Sequence, residues 1–221
     1  MGVLTDSLRA RLYALGTTNV ADAMDSIGLC NVTTGIYPLY EGCKKIVGEA
    51  VTQRFIPTDH LPKDKHGGMA TIQNAKAGDV IVVEGGGRAN LNTCGGIAAT
   101  AAKVKGIVGW VSDGVVRDVD EIVDLDFPMY CTGRTTLTAR GRFMEAPANQ
   151  PINCGGALCR MGDIVIADKS GVVIIPQERL EEVVEKAEQI AAKEEAMLAS
   201  IKGGEGLGDV DVKAGYENML K

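Results

Sequence analysis

Apolar and polar residues follow one another along the chain in a pattern that predicts alternating strands and helices. The predicted strands are residues 46–56, 80–84, 107–112 and 127–131, and the continuous apolar run at 80–84 is typical of a strand buried within a sheet. Helical spacing, with a cap or a glycine at its ends, occurs at residues 8–14, 19–27, 96–105 and 118–124. Asp6 is the predicted cap of the first helix. Two further apolar runs between Leu158 and Pro176 flank a turn at residues 168–171 and predict a hairpin.

These elements predict a fold of the α/β class. The strand at 80–84, a glycine-rich turn, the helix from Gly96 and the strand at 107–112 form a βαβ unit with a short crossover. We expect a single layered α/β domain over residues 1–221, with a partly parallel sheet at its core and helices on its outer faces. A long C-terminal helix begins near Pro176 and reaches residue 202. The chain also contains a predicted loop at 57–68 and a glycine-rich extension at 203–221, which we expect to be mobile or partner-bound.

An arginine and an aspartate stand next to each other where an apolar strand ends. Arg117 and Asp118 follow the run 107–116, which contains the turn Asp113-Gly114. A guanidinium can grip a planar carboxylate through two hydrogen bonds, and a carboxylate can hold a hard divalent cation beside it. The pair therefore predicts a site for a carboxylate ligand and a metal ion. The alternative is a surface salt bridge at a helix start, where acidic residues are common.

Two glycines upstream of this pair, Gly95 and Gly96, open the predicted helix 96–105. The first N–H groups of a helix have no partner within it, and they favour an anion. We therefore expect the amides near Ile97 and Ala98 to bind an anionic group of the substrate. A carboxylate and a phosphate both fit this pattern.

Composition excludes several other classes of protein. The 221 residues are 45% hydrophobic, enough for the core of one domain, and a net charge of −6 with a pI near 5.0 argues against a nucleic-acid-binding surface. The sequence contains neither an apolar run long enough for a membrane span nor a signal-peptide pattern, so we expect a cytoplasmic protein without a membrane partner. The six cysteines form no Cys-x-x-Cys pair, and His60 and His66 are the only histidines. This argues against a structural zinc site and a histidine-based hydrolase.

One pattern in the chain resembles the family of 4-hydroxy-4-methyl-2-oxoglutarate aldolases and the related regulator of ribonuclease activity A. It consists of Gly95-Gly96, twenty further residues, Arg117-Asp118 and, after two more residues, Glu121. The resemblance runs in family order from residue 8 to residue 205. Other segments that carry it are LGTTNVADA at 15–23, GDVIVV at 78–83 with the glycines at 85–87, and MGDIVIAD at 161–168 with Gly171-Val172. In fold it implies an RraA-like, swivelling-domain-like α/β domain.

The resemblance implies a metal-dependent aldolase that cleaves 4-hydroxy-2-oxo acids and releases pyruvate. Asp118 would hold Mg²⁺ or Mn²⁺, Arg117 would orient and neutralise the pyruvyl part of the substrate, and Glu121 would bind a water on the metal or shape the site. The resemblance favours a substrate carboxylate at the helix start, residues 95–98. Decarboxylation of oxaloacetate needs the same stabilised enolate, so we expect it as a further reaction.

The family also forms trimers, sometimes paired into hexamers, with active sites between subunits. We therefore expect a homo-oligomer, either a trimer or a hexamer. In the long C-terminal helix, Glu194 falls within the apolar stripe of residues 180–201. A buried carboxylate needs a partner. It could form a salt bridge across a helix interface, or it could reach a neighbouring subunit's site and hold a water on the metal. Glu205 is the other candidate for the second role.

Two features leave the function open at this stage. Some aldolases of the family carry an acid where this chain has Gly96, so the proton-handling group and the physiological substrate are not defined. Asp113 lies nearby in sequence, but a structural role in its turn is expected, and Glu121 could equally be a solvated helix acid. The alternative function is a non-catalytic, protein-binding regulator of ribonuclease activity. That branch has an uncharged residue where this chain has Asp118, so the acid favours an enzyme.

Overall fold

A computed structural model of the protein describes residues 3–58 and 69–215. The helices are α1 (Asp6–Ala14), α2 (Thr17–Ser26), α3 (Met69–Asn74), α4 (Gly96–Val104), α5 (Val119–Asp124), α6 (Leu180–Lys202) and α7 (Leu207–Ala214). The strands are β1 (Tyr37–Pro38), β2 (Ile46–Pro57), β3 (Asp79–Glu84), β4 (Asn92–Cys94), β5 (Gly109–Ser112), β6 (Val115–Val116), β7 (Met129–Cys131), β8 (Gly133–Arg134), β9 (Phe143–Glu145), β10 (Ile152–Cys154), β11 (Ala157–Cys159), β12 (Ile164–Asp168) and β13 (Gly171–Ile175). Most of the predicted loop 57–68, with both histidines, lies outside the described residues.

The largest sheet is mixed and has the strand order β1-β7-β5-β3-β2-β12-β13, with β9 paired to the end of β2. Its centre is parallel, because β2 runs alongside β3, β3 alongside β5, and β5 alongside β7. The predicted hairpin is β12 with β13, and β12 pairs antiparallel with β2. β3, α4 and β5 form the predicted βαβ unit. The prediction of an α/β fold with a partly parallel core is confirmed.

A second sheet, of three short parallel strands, has the order β4-β6-β8. The sequence pattern did not predict it, because strands of two or three residues are too short to show periodicity. Its register places Cys94 opposite Val116, so that Gly95 and Arg117 follow the same edge of two neighbouring strands. This small sheet therefore joins the two halves of the sequence motif.

The helices that cover the large sheet form two groups, one of α1, α2 and α6 and one of α4 and α5, and both groups pack on the same face. Along β2, Val47 belongs to a cluster with residues of α1, α2 and α6, whereas Val51 and Phe55, on the same face, cluster with residues of α4 and α5. Ala50, on the opposite face, clusters with the β10–β11 hairpin. The second face is thus covered by a hairpin rather than by helices, which the sequence did not predict.

The C-terminal part of the chain differs from the prediction beyond residue 202. The long helix is confirmed as α6, preceded by a 3₁₀ turn at Gln177–Arg179. The extension then forms α7, which packs back on α6: Val210 is buried, and the Lys193 ammonium donates a hydrogen bond to the Gly215 carbonyl (3.3 Å). The sequence did not predict this helix, which is held against α6 by one buried apolar side chain. That the extension is mobile or binds a partner stays a prediction.

Two helix starts also differ from the prediction. Thr5, not Asp6, caps α1, because its hydroxyl accepts a hydrogen bond from the Leu8 amide (3.2 Å). α2 begins at Thr17, two residues earlier than predicted, because the Asn19 side chain turns back to accept from the Gly16 amide (3.2 Å). None of the helices in the described ranges is long and apolar enough to span a membrane.

Candidate active site

A cavity of about 490 Å³ opens where β4 and β6 end and α4 begins. Five of the predicted site residues line it, namely Gly95, Ile97, Ala98, Arg117 and Asp118. Gly96 and Glu121 lie immediately beside it, in contact with each other. Glu194 lies elsewhere in this chain. The structure therefore brings together every predicted site residue except Glu194.

Arg117 is positioned by the small parallel sheet. Its backbone amide donates to the Cys94 carbonyl (3.0 Å), so the residue is tied to the strand that leads into Gly95. Its Nε lies 3.2 Å from the Asp118 Oδ2, and the two side chains are 37% and 34% exposed. Nε is buried and makes no hydrogen bond in spite of this proximity. The backbone of Arg117 is thus fixed, and its side chain lines the cavity beside the Asp118 carboxylate with an unpaired Nε donor.

Asp118 has a left-handed backbone conformation, with φ 56° and ψ 46°, at the N-cap position of α5. This conformation is uncommon for residues other than glycine, although aspartate tolerates it better than most. The side chain does not cap its own helix. Instead, its Oδ2 accepts a hydrogen bond from the Gly96 amide (3.0 Å) at the start of α4. The unusual backbone therefore turns the carboxylate away from α5 and towards Gly95-Gly96.

Gly95 and Gly96 are needed because two carboxylates approach their backbone closely. A Cβ on residue 95 would lie 2.7 Å from the Asp118 Oδ2. A Cβ on residue 96 would lie 2.8 Å from the Glu121 Cδ, and the Oε2 of Glu121 would be closer still. Real Cβ atoms essentially never show contacts under 3.0 Å. Two consecutive residues without side chains thus make room for two acids at one place.

The start of α4 supplies N–H groups, as predicted, but one of them is already used. The Gly96 amide is bonded to Asp118, and the first main-chain bond of the helix runs from the Ala99 amide to the Gly95 carbonyl (3.0 Å). The amides of Ile97 and Ala98 lie between these two positions, and both residues line the cavity. They are the donors that remain for an anionic ligand.

Two polar residues at this end of the cavity were not predicted. Asn92 and Thr93 precede Cys94 on β4, and the Asn92 Oδ1 is buried without a hydrogen-bond partner. Asn92 can therefore accept a hydrogen bond from a group that enters the cavity. Burial, with a smaller effect of Cys131, raises the pKa of the Cys94 thiol well above its usual value. Burial therefore favours the protonated thiol, which is a weak nucleophile.

The rest of the cavity wall is mostly apolar and comes from distant parts of the chain. Phe55 ends the buried part of β2, Phe143 begins β9, and Ile72 lies on α3. In the sequence, these residues cannot be told apart from ordinary core residues. Phe55 and Phe143 reach the cavity only through the pairing of β9 with β2. Thr138, Ala139 and Arg140 complete this side.

Asp113 has a structural role, as expected. Its side chain is buried and accepts hydrogen bonds from the amides of Gly85, Gly86 and Gly155. Burial raises its pKa, although these hydrogen bonds oppose the shift. Asp113 does not line the cavity.

Glu194 belongs to α6, and its side chain contacts α2: the Glu194 Oε2 accepts a hydrogen bond from the Asn19 side-chain amide (2.7 Å). The Glu194 side chain is half-buried. Burial of Asp22 raises the pKa of that residue, and the nearby negative charge of Glu194 raises it further. The partner within the chain is thus an amide rather than a lysine. Glu205 pairs with Lys213 (2.6 Å) in an exposed position.

The carboxylates near Gly95-Gly96 are oxygen ligands of the kind that hard divalent metal ions prefer. Asp118 and Glu121 provide two carboxylates there, and within the described ranges no group of three or more His, Cys, Asp and Glu side chains has metal-ligand geometry. Magnesium typically binds proteins through one or two carboxylates and keeps several waters or substrate oxygens. The residues that are present therefore fit Mg²⁺ or Mn²⁺, which Asp118 and Glu121 would hold.

The chain is similar to several known proteins. Residues 17–174 match the RraA-like family, described as aldolase/RraA. A protein of Halalkalibacterium halodurans, whose name provisionally assigns it as a 4-hydroxy-4-methyl-2-oxoglutarate aldolase, is 37% identical over 185 residues, or 84% of each chain. An uncharacterized protein from Pseudomonas syringae has a solved structure with a TM-score of 0.83 and 28% identity, covering 94% of this chain and 98% of the other.

A second solved structure connects the fold to ribonuclease inhibitors. Streptomyces coelicolor RraAS2, an unusual member of the RNase ES inhibitor RraA family, has a TM-score of 0.81 and 27% identity, covering 89% of this chain and 98% of the other. The family match covers both the motif and the cavity that contains it. The chain therefore belongs to the aldolase/RraA family.

Proposed function

We propose that this protein is a divalent-metal-dependent lyase that cleaves 4-hydroxy-2-oxo acids to release pyruvate and also decarboxylates oxaloacetate. One observation carries the proposal: two carboxylates, Asp118 and Glu121, converge over the side-chain-free start of α4, beside the Arg117 guanidinium. Relatives named as aldolases support the lyase class. Two carboxylates beside the positively charged guanidinium of Arg117 suit a ligand that carries both a metal-binding oxygen and a carboxylate.

Each residue has a role that follows from its position. Asp118 and Glu121 would hold Mg²⁺ or Mn²⁺ at the start of α4. A divalent cation bound there would stabilise the negative charge that develops on the 2-oxo oxygen as the enolate forms. Arg117 would bind the carboxylate of the 2-oxo acid, and the amides of Ile97 and Ala98 would orient its second oxygen.

The two reactions share a bond-breaking step and differ in proton handling. In aldol cleavage the C3–C4 bond breaks, its electron pair forms the enolate of pyruvate, and the C4 hydroxyl loses its proton as it becomes a carbonyl. In oxaloacetate decarboxylation the same electron pair is released as CO₂ departs, and no hydroxyl proton has to be removed. In both reactions C3 then gains a proton. A site without a well-placed acceptor for the proton of the C4 hydroxyl should therefore decarboxylate oxaloacetate readily.

Metal removal tests the proposal. Pyruvate release from oxaloacetate and from a 4-hydroxy-2-oxo acid should stop in excess chelator and return when Mg²⁺ or Mn²⁺ is added. Asp118→Asn should stay inactive at saturating metal. Full activity in chelator, or a fully active Asp118→Asn protein, would contradict the metal-dependent mechanism.

The second candidate function is a non-catalytic regulator that binds a ribonuclease, and the likeness to RraAS2 favours it. The purified protein, added to an RNase E-type enzyme, would then slow RNA cleavage with a defined stoichiometry and without metal. If it inhibits cleavage in this way and releases no pyruvate from any acid, the regulator replaces the lyase as the function.

A further inference from the structure

The cavity continues beyond the part that a pyruvyl group would occupy. Arg117 and Asp118 lie at one end, with Gly95 at the start of α4. Ala101, four residues after Ile97 on the same helix, also lines the cavity. Four residues of α-helix advance the axis by about 6 Å, so Ala101 lies roughly one turn farther from the acidic end. A substrate held by its carboxylate at Arg117 therefore extends along α4 towards Ala101.

The part of the cavity near Ala101, its distal part, is lined by apolar side chains. Phe55 and Phe143 are 4% and 7% exposed, and they meet through the pairing of β2 with β9. Ile72 of α3 and Ala98 and Ala101 of α4 complete the wall. Aromatic and aliphatic side chains of this kind gain free energy by covering an apolar group and lose it by covering a charged one.

Charge is scarce in the same region. Among the described residues that line the cavity, the charged side chains are Arg117 and Asp118 at the acidic end, and Arg140. Arg140 is exposed. A carboxylate placed among Phe55, Ile72 and Phe143 would lose its hydration, and the described part of the cavity wall offers no buried cation to replace it. The distal wall therefore discriminates against a second acid group.

We propose, on the basis of the function proposed above, that the substrates are 4-hydroxy-2-oxo acids whose C4 carries a non-polar alkyl or aryl group. Cleavage of such an acid breaks the C3–C4 bond, leaves the electron pair on the pyruvate enolate, and converts the C4 carbinol into a non-polar aldehyde as its hydroxyl proton is lost. The products are pyruvate and that aldehyde, and no oxidant or reductant is needed. The acidic end binds the part common to all such substrates, and the apolar wall selects the rest.

A matched substrate series tests the inference on the wild-type protein with Mg²⁺. The series carries methyl, propyl, pentyl or phenyl at C4, and 4-hydroxy-2-oxoglutarate provides a carboxylate there. kcat/KM for pyruvate release should rise along the alkyl series by up to roughly fourfold per buried methylene, and the phenyl compound should exceed the dicarboxylate at least tenfold. A flat series, or a preference for the dicarboxylate, would overturn the inference.

A cavity-filling variant tests the location of the group. Ala101→Phe should lower kcat/KM for the pentyl and phenyl compounds at least tenfold more than for the methyl compound. Val104→Phe is the matched control, because Val104 is 84% exposed on the same helix and does not line the cavity. It should leave all ratios unchanged. A folded Ala101→Phe protein with wild-type ratios would contradict the inference, and the wild-type series decides the matter if this variant does not fold.

Arg140→Gln separates the opposite possibility, that Arg140 reads a distal carboxylate. If the wall selects apolar groups, this variant should change the ratio of phenyl to dicarboxylate turnover by less than twofold in either direction. A dicarboxylate that is the best wild-type substrate and loses tenfold in Arg140→Gln would replace the apolar class. If none of the acids releases pyruvate and oxaloacetate is stable as well, the proposed function itself fails. If pyruvate is released with the wrong preference, only the present inference fails.

Discussion

The carboxylate of Glu121 occupies the space that a side chain at residue 96 would need. The Glu121 Cδ lies 2.8 Å from the position of a Cβ on Gly96, and the carboxylate oxygen is closer still. An acid from α5 thus fills the space beside the start of α4. Gly96 and Glu121 are therefore interdependent.

Exchanging the two residues tests this dependence. Gly96→Ala should displace the Glu121 side chain and lower metal-activated pyruvate release about tenfold, because a carboxylate is moved away from the cation. Stability should change by less than roughly 1 kcal/mol, because Glu121 is exposed and can rotate away. The double variant Gly96→Asp with Glu121→Ala should recover part of the activity. Metal titrations of activity, with thermal melts as the folding control, would check this. An unchanged metal dependence in Gly96→Ala would contradict it.

Asp118→Asn separates charge from conformation. Asparagine tolerates the left-handed backbone at residue 118, and its side-chain oxygen can still accept from the Gly96 amide. We expect an unfolding free energy within roughly 0.5 kcal/mol of wild type and no detectable decarboxylation of oxaloacetate at saturating Mg²⁺. Chemical denaturation and coupled pyruvate assays would measure the two quantities. A large loss of stability would show that the charge serves the fold.

Arg117→Lys keeps the positive charge but removes the planar pair of donors. The amide-to-carbonyl bond between residues 117 and 94 does not depend on the side chain, so the backbone should stay in place. We predict a loss in kcat/KM of roughly 10²-fold or more, mostly through substrate positioning. Steady-state kinetics with oxaloacetate would check this. Near-normal kinetics would mean that residue 117 contributes only a long-range field.

Glu194→Gln tests a role between subunits. Glutamine can still accept from Asn19, so the contact between α6 and α2 should survive. If Glu194 reaches a neighbouring site in a trimer or hexamer, metal-dependent turnover should fall about tenfold while the oligomer seen by light scattering persists. Glu205→Gln tests the other candidate, which pairs with Lys213 in an exposed position. A loss of turnover in Glu205→Gln alone would assign the role to Glu205. A Glu194→Gln protein that dissociates and keeps its residual activity would mark Glu194 as structural, and a monomeric wild type would remove the basis of the prediction.

Asp168 makes stability depend on acidic pH. Burial alone would raise its pKa, but hydrogen bonds from the Thr17 amide (2.9 Å) and hydroxyl (2.7 Å), and from the Ser170 amide, lower it below its usual value. A carboxyl whose pKa is lowered by folding contributes stability above its unfolded pKa and loses it as the pH falls through the folded pKa. Asp168→Asn should therefore cost roughly 1–3 kcal/mol at pH 7, and the difference from wild type should shrink below about pH 4. Denaturant melts at both pH values would measure it; a constant difference would contradict the assignment.

The local sequence pattern was sufficient for most elements. The strand-like segments of the sequence predicted β2, β3, β5 and the β12–β13 hairpin, and the signal was clearest for β3, because a strand buried on both faces is nearly continuously apolar. The spacing of apolar residues likewise predicted α4 and α6. The Arg117-Asp118 pair was recognisable because a charged pair at a strand end is unusual in its immediate context.

Tertiary structure decided where those residues meet and what surrounds them. The register of Cys94 with Val116 puts Gly95 next to Arg117, and the left-handed backbone of Asp118 turns its carboxylate towards α4. Neither follows from local spacing, because strand register and a strained conformation depend on contacts between distant segments. The apolar wall was invisible for the same reason, since Phe55 and Phe143 become neighbours only when β9 pairs with β2. The sequence by itself determined the element types and the charged motif, through local propensity and hydrophobic burial. The convergence of two acids and an apolar wall on one cavity depended on long-range packing.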